Sequence, residues 1–212
     1  VTGGLCGVND CSFHAHGNGT IGHMVSTYAI RLYAWSAYAF CDDSLQSTMN
    51  GYFDVDSRFE WLDKIIRPKL LELKTLQEKI SFTEQALLKR LSDVRENTVV
   101  NDTIQNILIN KGSLDIAKLA KKSFVSTRQL ERLFHEYVGI TPKKLSNLIR
   151  YQFLWRDILC EPDFDVLSAV YKFGYTDQSH LLREFKRYHS MDIHNARIMA
   201  FKDVGNIQDV FV

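Results

Sequence analysis

The stretch Leu114-Asp115-Ile116-Ala117-Lys118-Leu119-Ala120-Lys121-Lys122-Ser123-Phe124-Val125-Ser126-Thr127-Arg128-Gln129-Leu130-Glu131-Arg132-Leu133-Phe134 decides the fold. Leu114, Ile116, Ala117, Leu119 and Ala120 give a first helix, and Ser123–Val125 breaks it. Ser126 is a side chain suited to an N-cap, with Gln129 three residues on, and Leu130, Leu133 and Phe134 form the inward stripe of a second helix. Asp165–Phe185 repeats the plan: Val166, Leu167 and Val170, a turn at Phe173-Gly174-Tyr175-Thr176, then Leu181, Leu182 and Phe185. From Ser126 to Asp177 is 51 residues. That leaves room for a connecting helix of about five turns over Pro142–Leu159, with Pro142 at the first helical position, where its missing N–H is harmless.

A pair of helices joined by such a turn can lay its second helix in the major groove of a duplex, its first turns facing base edges. Thr127, Arg128, Glu131, Arg132 and His135 fall on the outward face of the first unit. Gln178, Ser179, Leu182 and Arg183 do so in the second, with Lys186 and Arg187 behind. Arginine suits guanine O6/N7 and glutamine suits adenine N6/N7. Lys121, Lys122, Lys143, Lys144, Lys186 and Arg187 suit phosphates, which position a protein without reading sequence. An ordinary helical bundle with solvated charged faces would account for one unit equally well; two in tandem favour the DNA reading.

Outside the repeat, 212 residues allow one large domain or two small ones. The composition, 45% hydrophobic and 24% charged, is that of a globular chain. Apolar runs stop well short of the ~18 residues of a membrane span, and Val1–Thr20 has no basic-then-apolar signal segment. The glycine-rich opening without Met predicts a chain whose N-terminus lies further upstream. Net charge is +1, yet residues 102–200 hold 15 Lys/Arg against 11 Asp/Glu, whereas residues 1–101 hold 10 against 12. The basic excess therefore sits with the repeat, as phosphate contact requires. Four irregularly spaced cysteines suggest no disulfide scaffold and point to a reduced, cytoplasmic setting.

The fold class expected is mainly α. Residues 102–200 form an all-α domain with helices near 102–111, 114–122, 127–138, 142–159, 165–172, 177–189 and 192–200, and 201–212 form a tail. Residues 1–97 form a small α+β segment, with Asn97–Asn101 as the boundary. Within it Gly17-Asn18-Gly19 reads as a hairpin turn before an alternating run at Met24–Tyr33, giving two or three strands. The period leaves Trp35–Cys41 open between a strand end and a short helix. Phe59, Leu62, Ile65 and Ile66 mark a helical face, Pro68 a kink or a new start, and Ser81-Phe82-Thr83-Glu84 a capping box ahead of Leu87, Leu88, Leu91 and Val94.

The repeat resembles the AraC/XylS family of bacterial transcription regulators. The resemblance is carried by Ser126-x-Arg128-x-Leu130-x-Arg132-x-Phe134, Gly139-x-Thr141-Pro142, and Gly174-Tyr175-x-Asp177-Gln178-Ser179-His180-x-x-Arg183-x-Phe185-Lys186, about 95 residues in all. It implies two units entering successive major grooves, held by one long helix, with double-stranded DNA as partner. By position, Arg128, Gln129, Glu131 and Arg132 become base readers in the first unit, and Gln178, Ser179, His180, Leu182 and Arg183 in the second. Thr127 joins them from its place on the outward face. The sequence departs from the family at Val170, where a small residue is usual, at Phe124, where glycine is frequent, and at Ser190 and Ile193, which replace Gly and Pro. The front half resembles, through Tyr28–Trp35, a subgroup with a sensor-like N-terminal domain. That implies a small-molecule effector, RNA polymerase as a further contact, and a monomer or homodimer.

Cys6, Cys11, His14 and His16 make a Cys2His2 set conceivable for zinc. They lack a C-x2-C knuckle, and unrelated residues of a strand edge explain them better, so no metal and no cofactor is expected. Asp42-Asp43 and Asp54/Asp56 read as solvated loop carboxylates, and Cys160 as core on the connecting helix. No enzymatic activity is expected. The competing readings are a regulator-derived protein-interaction domain without operator binding, and a regulator with a zinc- or thiol-reactive front domain.

Overall fold

A computed structural model describes residues 4–9, 28–41, 45, 49–54, 59–91 and 97–202. They divide into two compact units: one within Val1–Arg95 together with Tyr137–Gly139, the other formed from Glu96 onward. The second unit holds seven helices: α3 (Thr98–Ile109), α4 (Ile116–Lys122), α5 (Thr127–Tyr137), α6 (Pro142–Cys160), α7 (Val166–Phe173), α8 (Gln178–His189) and α9 (Ile193–Lys202). The fold is mainly α, as the periodicity predicts.

Local chemistry sets every one of these helix starts. A helix leaves its first N–H groups unsatisfied, and a short polar side chain just before it accepts from one of them. Asn97 accepts from Val100 N at 3.1 Å and Asp115 from Ala117 N at 2.9 Å. Ser126 accepts from Gln129 N at 3.1 Å, and Thr141 from Lys144 N at 3.2 Å. Asp165 accepts from Ser168 N at 2.7 Å, Asp177 from His180 N at 2.7 Å and Asp192 from Asn195 N at 2.9 Å. The Asn97 cap places the start of α3 four residues before the expected one. Thr98-Val99-Val100 is β-branched, but the cap and burial of Val100 (3% exposed) outweigh that modest propensity cost.

Two faces of α6 organise the core. Leu145, Ile149, Leu154 and Ile158 are buried along it. Leu154, Trp155 and Ile158 belong to one cluster with Ala169, Val170 and Phe173 of α7, Leu181 and Phe185 of α8, and Ala196 of α9. In the first half of the domain Leu119, Ala120, Leu130 and Phe134 are equally buried. Cys160 departs from its expected place: it is exposed at the end of α6, and Leu154 and Ile158 fill the core instead.

The front unit corrects the sequence reading. The α+β segment expected over residues 1–97 is not present as drawn: among the described residues β-structure is confined to three-residue strands β1 (Gly4–Cys6) and β2 (Tyr52–Asp54), paired antiparallel. Of the strand expected at Met24–Tyr33, residues 28–33 have no regular structure, and residues 24–27 and the Gly17–Gly19 turn lie outside the described residues. Alternation alone makes no strand without a partner edge. Ala37–Phe40 resolves to a short 3-10 turn, and the described residues of the unit also form two α-helices, α1 (Arg67–Glu72) and α2 (Leu76–Leu91). A single π-turn over Leu62–Ile66 leads into α1, so the widened turn meets Pro68 in the first turn of α1, where no N–H is needed.

The capping box also moves. Thr75 Oγ1 accepts from Glu78 N at 3.2 Å while Glu78 Oε2 accepts from Thr75 N at 2.9 Å, so Thr75-x-x-Glu78 opens α2 and Ser81-x-x-Glu84 lies inside it. Phe40, Leu45, Phe59, Trp61 and Ile66 form the core of this unit, with Phe82, Ala86 and Leu87 of α2 against them. Trp61 Nε1 donates to the Phe40 carbonyl, and Tyr28 donates to Thr83 on α2 at 3.0 Å.

Candidate nucleic-acid interface

α4 and α5, and again α7 and α8, make two helix-turn-helix units whose backbones correspond apart from one extra residue in the second turn. Val125 N donates to Ala120 O at 3.1 Å and Tyr175 N to Val170 O at 3.0 Å, the same closing bond fifty positions apart. Just before each donor the chain turns left-handed, at Phe124 (φ +55°) and Gly174 (φ +66°). The second turn then carries one residue more, Thr176, before its cap. From there the correspondence runs at 51 positions: caps Ser126 and Asp177, left-handed exits Gly139 (φ +80°) and Ser190 (φ +59°), and caps Thr141 and Asp192 of the following helix. Two of the four family departures, Phe124 and Ser190, thus fall where the backbone is most demanding. Ser190 nonetheless closes α8 by donating its N–H to Lys186 O at 2.7 Å, and the final junction forms.

The candidate base readers lie on α5 and α8. Thr127, Arg128, Gln129, Glu131 and Arg132 are all exposed on the first two turns of α5. Gln178, Ser179, Leu182 and Arg183 are exposed on α8. His180 is not an equal member: it is half-buried and set edge-on against the Tyr175 ring at 5.3 Å. Of the phosphate candidates Lys121, Lys122, Lys143, Lys186 and Arg187 are exposed and Lys144 is half-buried. Lys121 and Lys122 end α4, where the negative end of the helix dipole favours them. Cys6 is exposed, while Cys11, His14 and His16 lie outside the described residues, and no cluster able to hold a metal occurs among the described ones.

A buried polar group behind α8 escaped the sequence reading. Arg150 of α6 donates through Nη2 to both Glu184 oxygens, at 3.0 and 2.8 Å, with the side chains 7% and 11% exposed. Tyr175 donates its hydroxyl to Glu184 Oε1 at 2.7 Å, and its ring lies 4.1 Å from the guanidinium carbon. Burial and the neighbouring carboxylate push the Tyr175 hydroxyl well above the usual phenol range, so it stays a donor. The signal was legible in principle: Arg150 falls among Leu145, Ile149 and Leu154, and Glu184 between Leu181 and Phe185, so opposite charges occupy inward positions. Lys172 of α7 meets Asp157 at 2.6 Å and Glu161 at 3.0 Å, and these hydrogen bonds raise its pKa.

The end of α8 closes on aromatic rings. His189 stacks on Phe185 at 4.5 Å and lies 4.3 Å from Trp155 and 5.6 Å from Tyr151. Burial among these rings lowers its pKa to about 4 and keeps it neutral.

Residues 119–197 match a helix-turn-helix domain family, from the middle of α4 into α9. The matched stretch, 79 of the 212 residues, is a helix-turn-helix domain of the AraC type. Among curated relatives, a Haemophilus influenzae protein described as an uncharacterized HTH-type transcriptional regulator is 26% identical over 111 residues, 52% of this chain. The chain spans only 36% of that relative's length. Among solved structures, the C-terminal domain of AraT, a response regulator from Geobacillus stearothermophilus, matches at a TM-score of 0.46 and 20% identity, over 50% of this chain and 88% of that domain.

Proposed function

We propose that the chain regulates transcription by binding duplex DNA with both helix-turn-helix units, α5 and α8 reading adjacent major grooves. The observation that carries this is the duplicated unit itself. Two second helices, each opened by a side-chain cap, expose a run of hydrogen-bonding and basic residues on their first turns. Arg128, Gln129, Glu131 and Arg132 on α5, with Thr127, and Gln178, Ser179, Leu182 and Arg183 on α8 are the residues proposed to read base edges, and their exposure supports it. His180 is the least available, because Tyr175 holds its ring. Lys121, Lys122, Lys143, Lys144, Lys186 and Arg187 serve phosphates. The family resemblance extends the proposal to an effector for the front unit and to RNA polymerase as a contact of the bound protein.

The test is duplex affinity as a function of salt. Six phosphate contacts release counterions on binding, so log K falls against log salt with a slope of about −5. A flat response, or no binding to any duplex, would overturn the proposal in favour of a protein-interaction domain built on the same fold.

A further inference from the structure

We propose that Tyr38 and Leu45 of the front unit are positioning residues for the first reading helix. They hold the turn Tyr137–Gly139 at the end of α5, so that base reading by α5, and not by α8, depends on the front unit. This role rests on the DNA-reading function proposed above.

The compact body of the front unit includes Tyr137–Gly139. Tyr137 is the last residue of α5, so that body contains the end of the first reading helix. Within it the Tyr38 and Tyr137 rings lie 4.4 Å apart, tilted by 42°. A Cβ on Gly139 would stand 2.8 Å from the Leu45 carbonyl oxygen and 3.1 Å from the Leu45 Cβ. Glycine is thus required there twice, by this close approach and by the φ of +80°. The holding side is itself fixed. Leu45 is buried with Phe40, Phe59, Trp61 and Ile66, and Tyr38 lies in the 3-10 turn whose Phe40 carbonyl accepts from Trp61 Nε1.

The second unit carries the same residue type at the same place and uses it differently. Tyr188 corresponds to Tyr137 at the spacing of 51 positions, and its ring stacks at 4.2 Å on Tyr151 of α6. α8 is tied to the connecting helix at its end in this way, and along its length by the Glu184–Arg150 pair. α5 has half-buried Leu133 where Glu184 stands. Its fully buried Leu130 and Phe134 supply apolar contact, which carries no direction. The directional contact at the end of α5 comes from Tyr38 and Leu45.

Thr127 stands ten positions before Tyr137, about 15 Å along the helix. A tilt of about 10° about the Tyr137 end therefore moves Thr127 by about 2.5 Å, more than a hydrogen bond to a base edge tolerates.

The experiment selects bound sequences from random duplexes with the full chain. The block whose contribution Arg132→Ala removes is assigned to α5, and duplexes retaining only that block, or only the other, are titrated. Tyr38→Ala should bind the α5 block about five- to tenfold more weakly than wild type, the loss of one aromatic pair. On the other block it should stay within about twofold. Tyr38→Phe, which keeps the ring, should bind both blocks as wild type does. Thermal melting checks that Tyr38→Ala folds; if it does not, Tyr137→Ala removes the same contact from its other side and takes the same comparison. A folded variant that binds both blocks as wild type does, or weakens on both alike, overturns the assignment, as does a selection in which no block answers to Arg132→Ala. A wild type that selects no sequence refutes the DNA-reading function itself, and the positioning role falls with it.

Discussion

The two helix-turn-helix units share their capping pattern and differ in how each closes. Each has two left-handed positions, one in the turn and one at the exit, and each places glycine at only one of them. The first unit strains its turn with Phe124 and relaxes its exit with Gly139; the second relaxes its turn with Gly174 and strains its exit with Ser190. Behind the second helix the contrast is chemical. Val138, 2% exposed, closes the first unit where His189 closes the second, and half-buried Leu133 stands where Glu184 pairs with Arg150. On the reading face Glu131 corresponds to Leu182. The first unit is thus apolar behind and polar in front, while the second keeps polar and titratable groups behind and has an apolar residue in front.

The largest expected effect asks whether the two units are energetically one. Phe134 and Phe185 are fully buried at corresponding positions. Either Phe→Ala change should cost about 3–5 kcal/mol by urea denaturation. A single shared transition that shifts in both variants would mean that α6 couples the units; two transitions, each moved by its own variant, would separate them.

Reading is the next comparison. Arg132→Ala and Arg183→Ala should each lose about 1–3 kcal/mol on a selected duplex and relax one base position. On the proposed reading, Glu131 of the first unit would accept from cytosine N4, where Leu182 of the second would be restricted to apolar contact such as a thymine methyl. The Arg132 loss should therefore be the more sequence-dependent of the two. Lys143→Ala, by contrast, should weaken all duplexes alike. Equal, sequence-independent losses for both arginines would refute their assignment as readers.

How much of this could be read from the sequence follows from the range of the interactions. A cap acts over three residues, so Ser126 announces α5 in the sequence. Asp115, Thr141 and Asp177 cap α4, α6 and α8 in the same local way, though only the structure separates Asp115 and Asp177 from the helices they open. Most of the residues proposed as readers follow from helical periodicity, whereas Gln129 and His180 come from the family resemblance alone. The inward placement of Arg150 and Glu184 was legible, but their pairing and that of Ser146 with Gly112 were not, because each joins residues 34 positions apart and only the fold brings them together. Two local signals competed at α2, where Thr75-x-x-Glu78 outran Ser81-x-x-Glu84 because a helix already started has no free N–H left to cap. The front unit was misread for want of a partner strand, which no alternating run can supply by itself.

His189 against Val138 supplies a pH comparison. Burial among Tyr151, Trp155 and Phe185 holds the imidazole neutral and lowers its pKa to about 4. An unfolded histidine takes its proton near 6.5, so the unfolded state binds more protons between those values. The resulting contribution to stability is complete above about pH 6.5 and is lost as pH falls toward 4. His189→Leu should flatten that part of the stability–pH curve, measured as urea midpoints between pH 7.5 and 4. An unchanged slope would show that His189 titrates normally and that the second unit closes no more sensitively than the first.

The smallest effect tests the exchanged strain. Phe124 is 97% exposed at φ +55°, so its ring contributes almost no burial while its Cβ crowds the left-handed backbone. Phe124→Gly relieves a strain of about 1–2 kcal/mol and adds back roughly 0.5–1 kcal/mol of unfolded-chain entropy, for a net gain of about 0.5–1 kcal/mol. Ser190→Gly should gain in the same direction, and either gain would appear as a raised melting temperature. Gly174→Ala should move the other way, since its φ is equally left-handed and an added Cβ would meet Ser113. If Phe124→Gly lowers stability instead, the backbone at this turn is not strained by its side chain, and the symmetry between the first unit's turn and the second unit's exit is one of geometry without an energetic counterpart.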